Sequence, residues 1–476
     1  YWVDRPTGRG PGMFLTVDGT RGADAGRIAE PGEHTDEIFD TIGERRTRSD
    51  LRRVVAAGSI PGGLPFAGLR VADFSWIGVG PITAKCLADH GATVVRVESV
   101  NRIDGLRVQP PFKDGVFGVN RSNFFGAFNT SKMGLSLDLK TDGGIAAARR
   151  LVEWADVVID SFTPGVMAGL GLGPDDIRQV NPRAITVTTS LLGSGGPRSA
   201  MAGYGYHAAA LAGFFNLVGY PDGPPEGPWL AYTDTIAPRF ITPTILAALD
   251  RRARTGSGCH IEAAQLEIAL QLLAPELLAF ADHGAVAMRA GSRDARFAPQ
   301  GVYPCEGHDC WAAITVSDDA EWHRFCHVLG RTDWAGDPGL GSLAGRQERH
   351  DEIDAGIAAW TSRRSEAEVE AALAEVGVPA AKVQRSSDLA ADPQYQHRGF
   401  YRSLPHSELG LIPYAGHQYR ISGYPLSGRD DANQGSPNGP RSGAPLLGEH
   451  TFQVLTDLLG FEMDEVAEIA SSGALE

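Results

Sequence analysis

The chain has 476 residues, and we expect two domains because a single hydrophobic core usually stops growing near ~250–300 residues. Its 43 basic and 58 acidic side chains give a formal charge of −15, which argues against general nucleic-acid binding and against an anionic membrane surface as a partner. The odd number of cysteines, five in all, indicates reduced thiols and predicts a cytoplasmic protein. We find no apolar run of about 18 residues, so the sequence predicts no membrane-spanning helix.

A repeat relates the two ends of the sequence. The segment PGEHTDEIFDTIG starts at Pro31, and the segment LGEHTFQVLTDLLG starts at Leu447. The two GEHT stretches begin at Gly32 and Gly448, an offset of 416 residues, and both lead into a helical pattern. A solenoid repeats every ~20–50 residues, so this longer offset predicts a duplicated domain, with a chance match before a helix as the alternative.

The duplication predicts how the chain divides. We expect residues 1–60 to be a tail resembling the C-terminal segment of a preceding unit, and residues 61–476 to be one complete unit. The whole polypeptide would then be longer than 476 residues. The first tail should pack on another large domain, fused or supplied by another chain, which would bury Ile38, Leu51 and Val55.

Apolar patterns after residue 61 predict an α/β layer. Leu69–Phe74 and Thr93–Glu98 are predicted strands on either side of a helix at Ile82–Asp89, which starts a parallel sheet. The remaining elements of this layer are predicted, in chain order, at Gly143–Trp154 (helix), Asp156–Ile159 and Ala184–Thr188 (strands), and Ala202–Gly213, Thr235–Arg254 and Ile261–Leu278 (helices).

From about Arg289 the pattern changes and predicts a second domain. A hairpin of Gly301–Tyr303 with Cys310–Val316, two or three helices up to Val376 and a short strand at Pro379–Gln384 are expected there. The predicted boundaries are a large domain whose N-terminal part is 61–288, a small domain at 289–390, and a return segment at 391–476 that completes the large domain.

The turn after the first predicted strand imitates a dinucleotide-binding fingerprint. Gly78-Val79-Gly80 follows the strand, and Glu98 ends the next strand, where a ribose-binding carboxylate would lie. However, Thr83 stands where the fingerprint has Gly or Ala, and Pro81 removes an amide that would face phosphate. We therefore disfavour a nicotinamide or flavin site and keep two interpretations: a tight turn without ligand, or a site for another nucleotide-containing ligand.

Cysteines and histidines around residue 308 suggest zinc at first sight. Cys305, His308 and Cys310 have a spacing that can ligate the metal. Cys326 lies farther along on a predicted helix, where a cysteine usually packs as a small hydrophobe. The sequence therefore predicts no metal site.

Asp234 has two interpretations, a helix cap and a carboxylate that takes part in chemistry. It lies in the sequence LAYTDTIAP just before a long predicted helix, where an aspartate caps free amides and Pro238 suits the first turn. The helix N-terminus also favours the ionised carboxylate. A carboxylate that attacks a carbonyl carbon must be ionised, so a cap and a nucleophile are compatible roles for this side chain.

Several blocks in register resemble one enzyme family. They are GLRVADFSWIGVGPITAKCLADHGATVVRVES, SKMGLSLDLKTDGG, ADVVIDSFTPGVMAGLGLG, NPRAITVTTSLLGSGGP, YTDTIAP, ILAALDRRARTGSGCHIE, GVPAAKVQRSSDLAADPQYQHRGF and LGEHT. On these motifs the chain resembles the class III CoA-transferase family, which includes formyl-CoA transferase, carnitine CoA-transferase and the α-methylacyl-CoA racemases. The resemblance covers essentially all of residues 65–476.

The resemblance implies an acyl-CoA:carboxylate CoA-transferase. Its α/β fold would have a Rossmann-like large domain from both chain ends and a smaller α+β middle domain, and two units would form an interlocked homodimer or a tandem pseudo-dimer. An acyl-CoA and a free carboxylic acid would be the substrates, with no covalently bound cofactor. The catalytic aspartate falls on Asp234, which would carry CoA as an aspartyl thioester. The implied CoA-binding residues are Gly78, Val79, Ser99, Arg102, Lys132, Asp138, Lys140, Ser161, Phe162, Thr163, Tyr204 and Gly205.

Departures from the family's motifs leave two alternatives open. Ser99, Met133 and Gly169 stand where family members often carry a basic residue, so a catalytically silent CoA-binding half of a tandem or heteromeric enzyme is one alternative. Racemases carry a histidine where this chain has Tyr204. A 2-methylacyl-CoA racemase or epimerase is therefore the other alternative, with His207, one helical turn on, as the substitute base.

Overall fold

The computed structural model describes residues 2–5, 8–22, 29–43, 64–420 and 439–475. Runs rich in valine and isoleucine, such as Thr93–Glu98 and Val157–Asp160, form central strands. Numbered in chain order, the strands are β1 (Trp2–Arg5), β2 (Gly8–Pro11), β3 (Leu15–Val17), β4 (Thr20–Arg21), β5 (Arg70–Asp73), β6 (Thr93–Glu98), β7 (Met133–Ser136), β8 (Val157–Asp160), β9 (Ile185–Ser190), β10 (Cys259–Ala264), β11 (Gln300–Pro304), β12 (Trp311–Thr315), β13 (Ala380–Lys382), β14 (Tyr401–His406) and β15 (Gly410–Ala415). The predicted burial of Leu51 and Val55 lies outside the described residues.

Helices connect and cover these strands. They are α1 (Thr35–Gly43), α2 (Val79–Asp89), α3 (Asn123–Phe128), α4 (Asp142–Trp154), α5 (Val166–Gly169), α6 (Pro174–Val180), α7 (Gly205–Ala212), α8 (Phe214–Leu217), α9 (Tyr232–Thr255), α10 (Gln265–Leu272), α11 (Ala274–His283), α12 (Asp319–Leu329), α13 (Thr332–Ala335), α14 (Leu343–Glu348), α15 (His350–Thr361), α16 (Glu366–Glu375), α17 (Ser386–Ala391), α18 (Pro393–His397), α19 (Thr451–Gln453) and α20 (Met463–Ser471). Short 3₁₀ or π turns occupy Gly105–Val108, Lys113–Gly115, Pro338–Leu340 and Val454–Leu458. Within the described ranges, no helix has the length and apolar character that a membrane crossing needs.

An eight-stranded sheet has the spatial order β4-β3-β10-β9-β8-β5-β6-β7. Its strands from β10 to β7 are parallel, while β3 and β4 add an antiparallel edge. Parallel strands are covered by helices on both faces, and therefore their sequences read as nearly continuous apolar runs. The predicted α/β class is confirmed, with a sheet that is largely parallel.

Apolar side chains on the two faces of this sheet form separate cores. Val95 packs on one face with Leu151 of α4 and with Val454 near the C-terminus. Val94 packs on the other face with Ile241 of α9. Successive strand residues point to opposite faces, which places these two neighbouring valines in different cores. Val454 packs in the first core and Leu15 in the second, so segments from both ends of the sequence contribute to the same domain.

The Cα positions group the chain into two units. The first comprises Tyr1–Ala212, Trp229–Val286 and Gly399–Glu476, and the second comprises Gly213–Pro228 and Ala287–Arg398. The eight-stranded sheet belongs to the first unit.

The second unit contains the predicted hairpin. Strands β11 and β12 pair in antiparallel fashion, and β13 adds to β12. Helices α12 to α16 pack beside this sheet around Trp322 and Trp334, whose rings stack with centroids 5.7 Å apart. Among the described residues, no three His, Cys, Asp or Glu side chains are grouped as metal ligands.

The predicted helix over Ile261–Leu278 is wrong in its first part. Cys259–Ala264 forms strand β10, which pairs with β9 on one side and β3 on the other. Two helices, Gln265–Leu272 and Ala274–His283, follow it. The apolar residues here have a helical spacing that continues into α10, which is why the sequence predicted a helix. Pairing with two neighbouring strands decides the conformation instead.

A buried ionic cluster lies at the carboxyl ends of β5 and β6. Arg96 is fully buried, and its guanidinium donates to Glu98 at 3.2 Å, to Asp104, and to the backbone oxygen of Ser75 at 2.9 Å. Arg107 also donates to Glu98, at 2.8 and 2.9 Å. Burial alone would raise the pKa of Glu98, but the two guanidinium groups lower it to about 2.

Lys132 and Asp73 extend this cluster to the start of α2. The Lys132 ammonium donates to Asp73 at 2.8 Å, to the side-chain oxygen of Asn129 at 2.9 Å and to the backbone oxygen of Pro81 at 2.9 Å. Burial lowers the pKa of Lys132 to about 8, against the opposing effect of Asp73. Burial would raise the pKa of Asp73, but Lys132 and Arg96 hold it below its usual value. Each buried charge is therefore tolerated because its partners are in place.

Replacing Arg96 with methionine should strongly destabilise the fold. The Arg96→Met chain keeps a similar side-chain volume but leaves carboxylates of Asp73, Glu98 and Asp104 buried without their shared cation, a defect that costs about 3–5 kcal/mol. Urea denaturation at pH 7.5 measures the loss. The matched control is Arg70→Met on neighbouring strand β5, whose ion pair with Asp156 is 47% exposed on the arginine side and should cost less than about 1 kcal/mol. Equal losses in the two variants would contradict a central role for the buried cluster.

Candidate active site

A cavity of about 810 Å³ lies at the carboxyl ends of β5, β6, β8 and β9, within the first unit. Residues directly after those strands supply its walls, including Trp76, Ser99, Phe162 and Leu191. Ligands of open α/β sheets bind outside the carboxyl ends of the strands, so this is the expected place for a site. The predicted site residues that line the cavity are Gly78, Val79, Ser99, Arg102, Asp138, Lys140, Ser161, Phe162, Thr163, Tyr204 and Asp234.

Two predicted CoA-binding residues lie elsewhere. Lys132 does not line the cavity, because its three N–H bonds point to Asp73, Asn129 and Pro81 inside the buried cluster. Gly205 lies behind the cavity wall, where its amide donates to the Asp234 carboxylate at 3.1 Å.

Asp234 lies at the inner wall of the cavity and is 6% exposed. The predicted N-cap role is wrong, because α9 begins at Tyr232 after the cap residue Ala231 and Asp234 is therefore the third helical residue. Its carboxylate accepts the Gly205 amide of another helix in place of an amide of its own helix. Burial raises the pKa of Asp234 to about 6, against the opposing effects of the hydrogen bonds from Gly205 and Gln265.

Gln265 is a site residue that the sequence did not reveal. It lines the cavity, is 8% exposed, and its side chain hydrogen-bonds to Asp234. Thr233 donates to the Gln265 side-chain oxygen at 2.8 Å, which orients the amide group so that its N–H side is free to serve Asp234. Gln265 directly follows β10 at a strand's carboxyl end, and a correct prediction of that strand would have drawn attention to it.

The turn at residues 75–78 approaches Asp234 closely. A Cβ added to Gly78 would lie 2.6 Å from the Asp234 Cβ, so this position requires glycine. Ile77 next to it has φ 67°, which is unusual for a β-branched residue, and its amide donates to the buried Asp104 at 3.0 Å. The buried ionic cluster therefore holds the strained turn that shapes the space around Asp234.

The outer part of the cavity carries cationic and aromatic side chains. Arg102 and Lys140 line it, and the Arg102 guanidinium lies 6.0 Å from the ring centroid of Trp76. Phe162 meets the same Trp76 ring edge-on at 5.7 Å. The Ser161 hydroxyl accepts the Trp76 amide at 2.8 Å and donates to its carbonyl oxygen at 3.1 Å, which joins the loops after β5 and β8.

Tyr204 and His207 form the wall beside Asp234. His207 Nδ1 accepts the Tyr204 amide at 3.1 Å, so its other ring nitrogen, Nε2, carries the proton in the neutral imidazole. Both side chains are exposed at the cavity. The site thus combines the buried carboxylate of Asp234, an exposed histidine and a cationic outer part.

The sequence pattern of CoA-transferase family III matches residues 66–451. The chain belongs to CoA-transferase family III. The resemblance inferred from the sequence is thereby confirmed, as is the assignment to a family of enzymes.

Individual relatives and a solved structure are similar to the chain over most of its length. It is 31% identical to a probable CoA-transferase of Mycobacterium tuberculosis over 96% of this chain, and it spans 55% of that relative's length. It is also 31% identical to the succinate–glutarate CoA-transferase of Agrobacterium fabrum, covering 83% of this chain and 96% of that enzyme. A CAIB/BAIF family protein from Brucella suis has a similar fold, with a TM-score of 0.74 and 28% identity over 83% of this chain and all of the other.

Replacing Gly78 with alanine should displace Asp234 and lower the rate of any reaction that uses this carboxylate. The new methyl group must displace the Asp234 side chain, and a misplacement of about 1 Å at a reacting group costs about 100-fold in rate. The measurement is the formation of new CoA esters in a panel of acyl-CoAs and free acids, scored for the native and the variant chain. Gly169→Ala is the matched control, because a Cβ there meets open space. A native rate in the Gly78→Ala chain would contradict the close approach.

The raised pKa of Asp234 predicts a pH-dependent stability difference. Between its ordinary value of 3.8 and its folded value of about 6, the folded chain binds a proton that the unfolded chain has lost. Stability therefore falls as pH rises through this window and stays low above it. Asp234→Asn removes the titration, so its free energy of unfolding relative to the native chain should rise by about 2 kcal/mol from pH 4.5 to pH 8. Urea denaturation at the two pH values measures this change, and an unchanged difference would contradict the assignment.

Proposed function

We propose that this chain is an acyl-CoA:carboxylate CoA-transferase that uses Asp234 as its nucleophile. The observation that carries the proposal is the buried Asp234 carboxylate, held by the Gly205 amide and Gln265, at the inner wall of a cavity with a cationic outer part. Relatives named for transfer between CoA esters and dicarboxylic acids support the same class of reaction.

The first half-reaction transfers CoA to the enzyme. The Asp234 carboxylate attacks the acyl carbon of the thioester, the C–S bond breaks, and CoA leaves as a thiolate. The product is a mixed anhydride between the acyl group and Asp234. The CoA thiolate then attacks the Asp234 Cγ and expels the acyl group as its free carboxylate, which leaves an aspartyl-CoA thioester. No proton is gained or lost, so the site needs no general acid or base.

The second half-reaction runs the same steps backwards with another acid. The incoming carboxylate attacks Cγ and forms a new anhydride while CoA thiolate leaves. The thiolate then attacks the acyl carbon of the incoming acid, which releases the new CoA ester and restores Asp234. In both halves negative charge develops on an Asp234 oxygen, and the Gly205 amide already donates to Oδ1, where it would stabilise that oxyanion.

Burial of Asp234 suits an intermediate that water would destroy. The carboxylate is 6% exposed, and the anhydride and thioester formed on it would be shielded from hydrolysis. Burial also raises the pKa of Asp234 to about 6. This makes the carboxylate a stronger nucleophile than an exposed aspartate while leaving it ionised at neutral pH.

The cationic outer part of the cavity suits the nucleotide portion of CoA. We assign the CoA phosphates to Arg102 and Lys140, and the pantetheine arm to the part of the cavity between Phe162 and Asp234. Lys132 is excluded from this role because the buried cluster uses all its N–H bonds. Arg102 and Lys140 provide the positive charge that the departures at Ser99, Met133 and Gly169 removed.

Substitution of Asp234 tests the proposal. Asp234→Ala should reduce CoA transfer by at least about 1000-fold while leaving CoA binding nearly unchanged, because the side chain meets the acyl carbon and not the nucleotide. A panel of acyl-CoAs and free acids that includes succinyl-CoA with glutarate, scored by mass spectrometry of the CoA esters, measures transfer. In the native chain, hydroxylamine added after acyl-CoA should convert Asp234 to a hydroxamate. Substantial transfer by the Ala variant would exclude Asp234 as nucleophile.

The same incubations in deuterated water distinguish a transferase from a racemase. The racemase is the second candidate because His207 lines the cavity. A transferase should exchange the α-proton of a 2-methylacyl-CoA far more slowly than it transfers CoA. Fast deuterium incorporation that is lost in His207→Ala would favour a racemase. Tight CoA binding with neither reaction would favour the silent half of a larger enzyme.

A further inference from the structure

Residues 29–43 contain the first GEHT copy, and we call them the N-terminal module. Their backbone turn repeats that of the second copy. The Glu30 amide donates to the Glu33 carboxylate at 2.8 Å, and the Leu446 amide donates to the Glu449 carboxylate at the same distance. The two copies therefore begin with the same side-chain-to-backbone hydrogen bond, although they lie at opposite ends of the sequence.

The agreement continues into the helix. Thr35 donates its amide to the Gly32 carbonyl oxygen at 3.1 Å, and Thr451 donates to that of Gly448 at 3.1 Å. Gly32 and Gly448 both have left-handed backbones, with φ 86° and 69°. The repeat is thus structural, and a chance match of four letters does not account for it.

The second copy docks on the edge strand β7 of the large sheet. His450 donates its amide to the Gly134 carbonyl oxygen at 2.9 Å, and its ring Nδ1 accepts the Gly134 amide at 3.2 Å. The Thr451 hydroxyl accepts the Ser136 amide at 3.0 Å. A Cβ on Gly134 would lie 2.8 Å from the Leu446 oxygen, so the receptor strand needs glycine at this point.

The same register positions are buried in one copy and exposed in the other. Val454 and Leu455 are 0% exposed in the core behind β7 and α4. Their counterparts in the repeat are Ile38 and Phe39, which are 54% and 67% exposed. The N-terminal module therefore presents an apolar face that, in the second copy, is completely covered by a large domain.

We propose that the N-terminal module docks on a second family III unit, distinct from this chain, whose strand equivalent to β7 is open. A second copy of this chain is a poor partner, because its own residues 446–459 already cover β7. The partner strand should carry a glycine aligned with Gly134, so that His34 and Thr35 can bind its backbone as His450 and Thr451 do here. This chain spans 55% of the M. tuberculosis relative, and the rest of that relative is long enough to contain a second unit of this kind.

Site-specific photo-crosslinking tests the proposal on the gene product at its natural length, expressed in the cells it comes from. A benzoyl-phenylalanine at Phe39 should crosslink to a peptide that aligns with β7 or α4 of another family III sequence. The matched control is the same probe at Glu37, whose repeat counterpart Gln453 is exposed, and its crosslinking yield should be at least about 10-fold lower. Both positions are exposed here, so neither probe should disturb folding. Mass spectrometry identifies the crosslinked peptide.

Each other outcome overturns the proposal. A crosslink to Met133–Ser136 of a second copy of this chain would show exchange of tails between identical chains. A crosslink to a protein outside the family, or equal yields at Phe39 and Glu37, would show that the helix face has a different role. Absence of any crosslink at Phe39 would show that the face stays in solvent. None of these results bears on Asp234, so the proposed chemistry stands or falls separately.

Discussion

The carboxyl ends of the large sheet's strands depend on one buried interaction. It is the pairing of Arg96 with Asp73, Glu98 and Asp104. One guanidinium joins the ends of two parallel strands to the turn that follows the first of them. Buried charges gain little net stability compared with apolar packing, but removing one partner is costly. Such a cluster therefore specifies one arrangement of the strand ends more than it strengthens the fold.

Asp104 transmits that constraint to the side of the turn that faces Asp234. Its carboxylate takes the amide of Ile77, whose left-handed backbone directs Gly78 against Asp234. The turn thus forms part of the surroundings that bury Asp234, and burial is what raises the pKa of Asp234 to about 6. The turn that is strained at Ile77 is therefore also part of what encloses Asp234, the proposed nucleophile.

Much of this arrangement could be predicted from the sequence, since it depends on local patterns. The strand–turn–helix of residues 69–89 and the candidacy of Asp234 follow from apolar periodicity and from family motifs. Gln265 was missed because β10 owes its conformation to partner strands far away in sequence. Lys132 was misplaced because a motif does not show whether a lysine turns to solvent or to a buried aspartate. The N-cap assignment of Asp234 was wrong by only a few residues, yet it predicted a shift of the pKa in the wrong direction. Capping would lower the pKa of this carboxylate, whereas burial raises it.

The position of β7 at the edge of the sheet has a consequence for how the chain folds. The residues that cover it follow 316 positions later, measured from Gly134 to His450. During synthesis, β7 and the apolar side of α4 therefore stay uncovered by this segment until 316 further residues have been made. At ~5–20 residues per second this delay lasts about 15 to 60 seconds, long enough for an open edge strand to meet another nascent chain. The GEHT segment that starts at Gly448 thus covers the edge strand late in synthesis. Chaperones that bind unfinished chains would keep β7 from pairing with other chains until then.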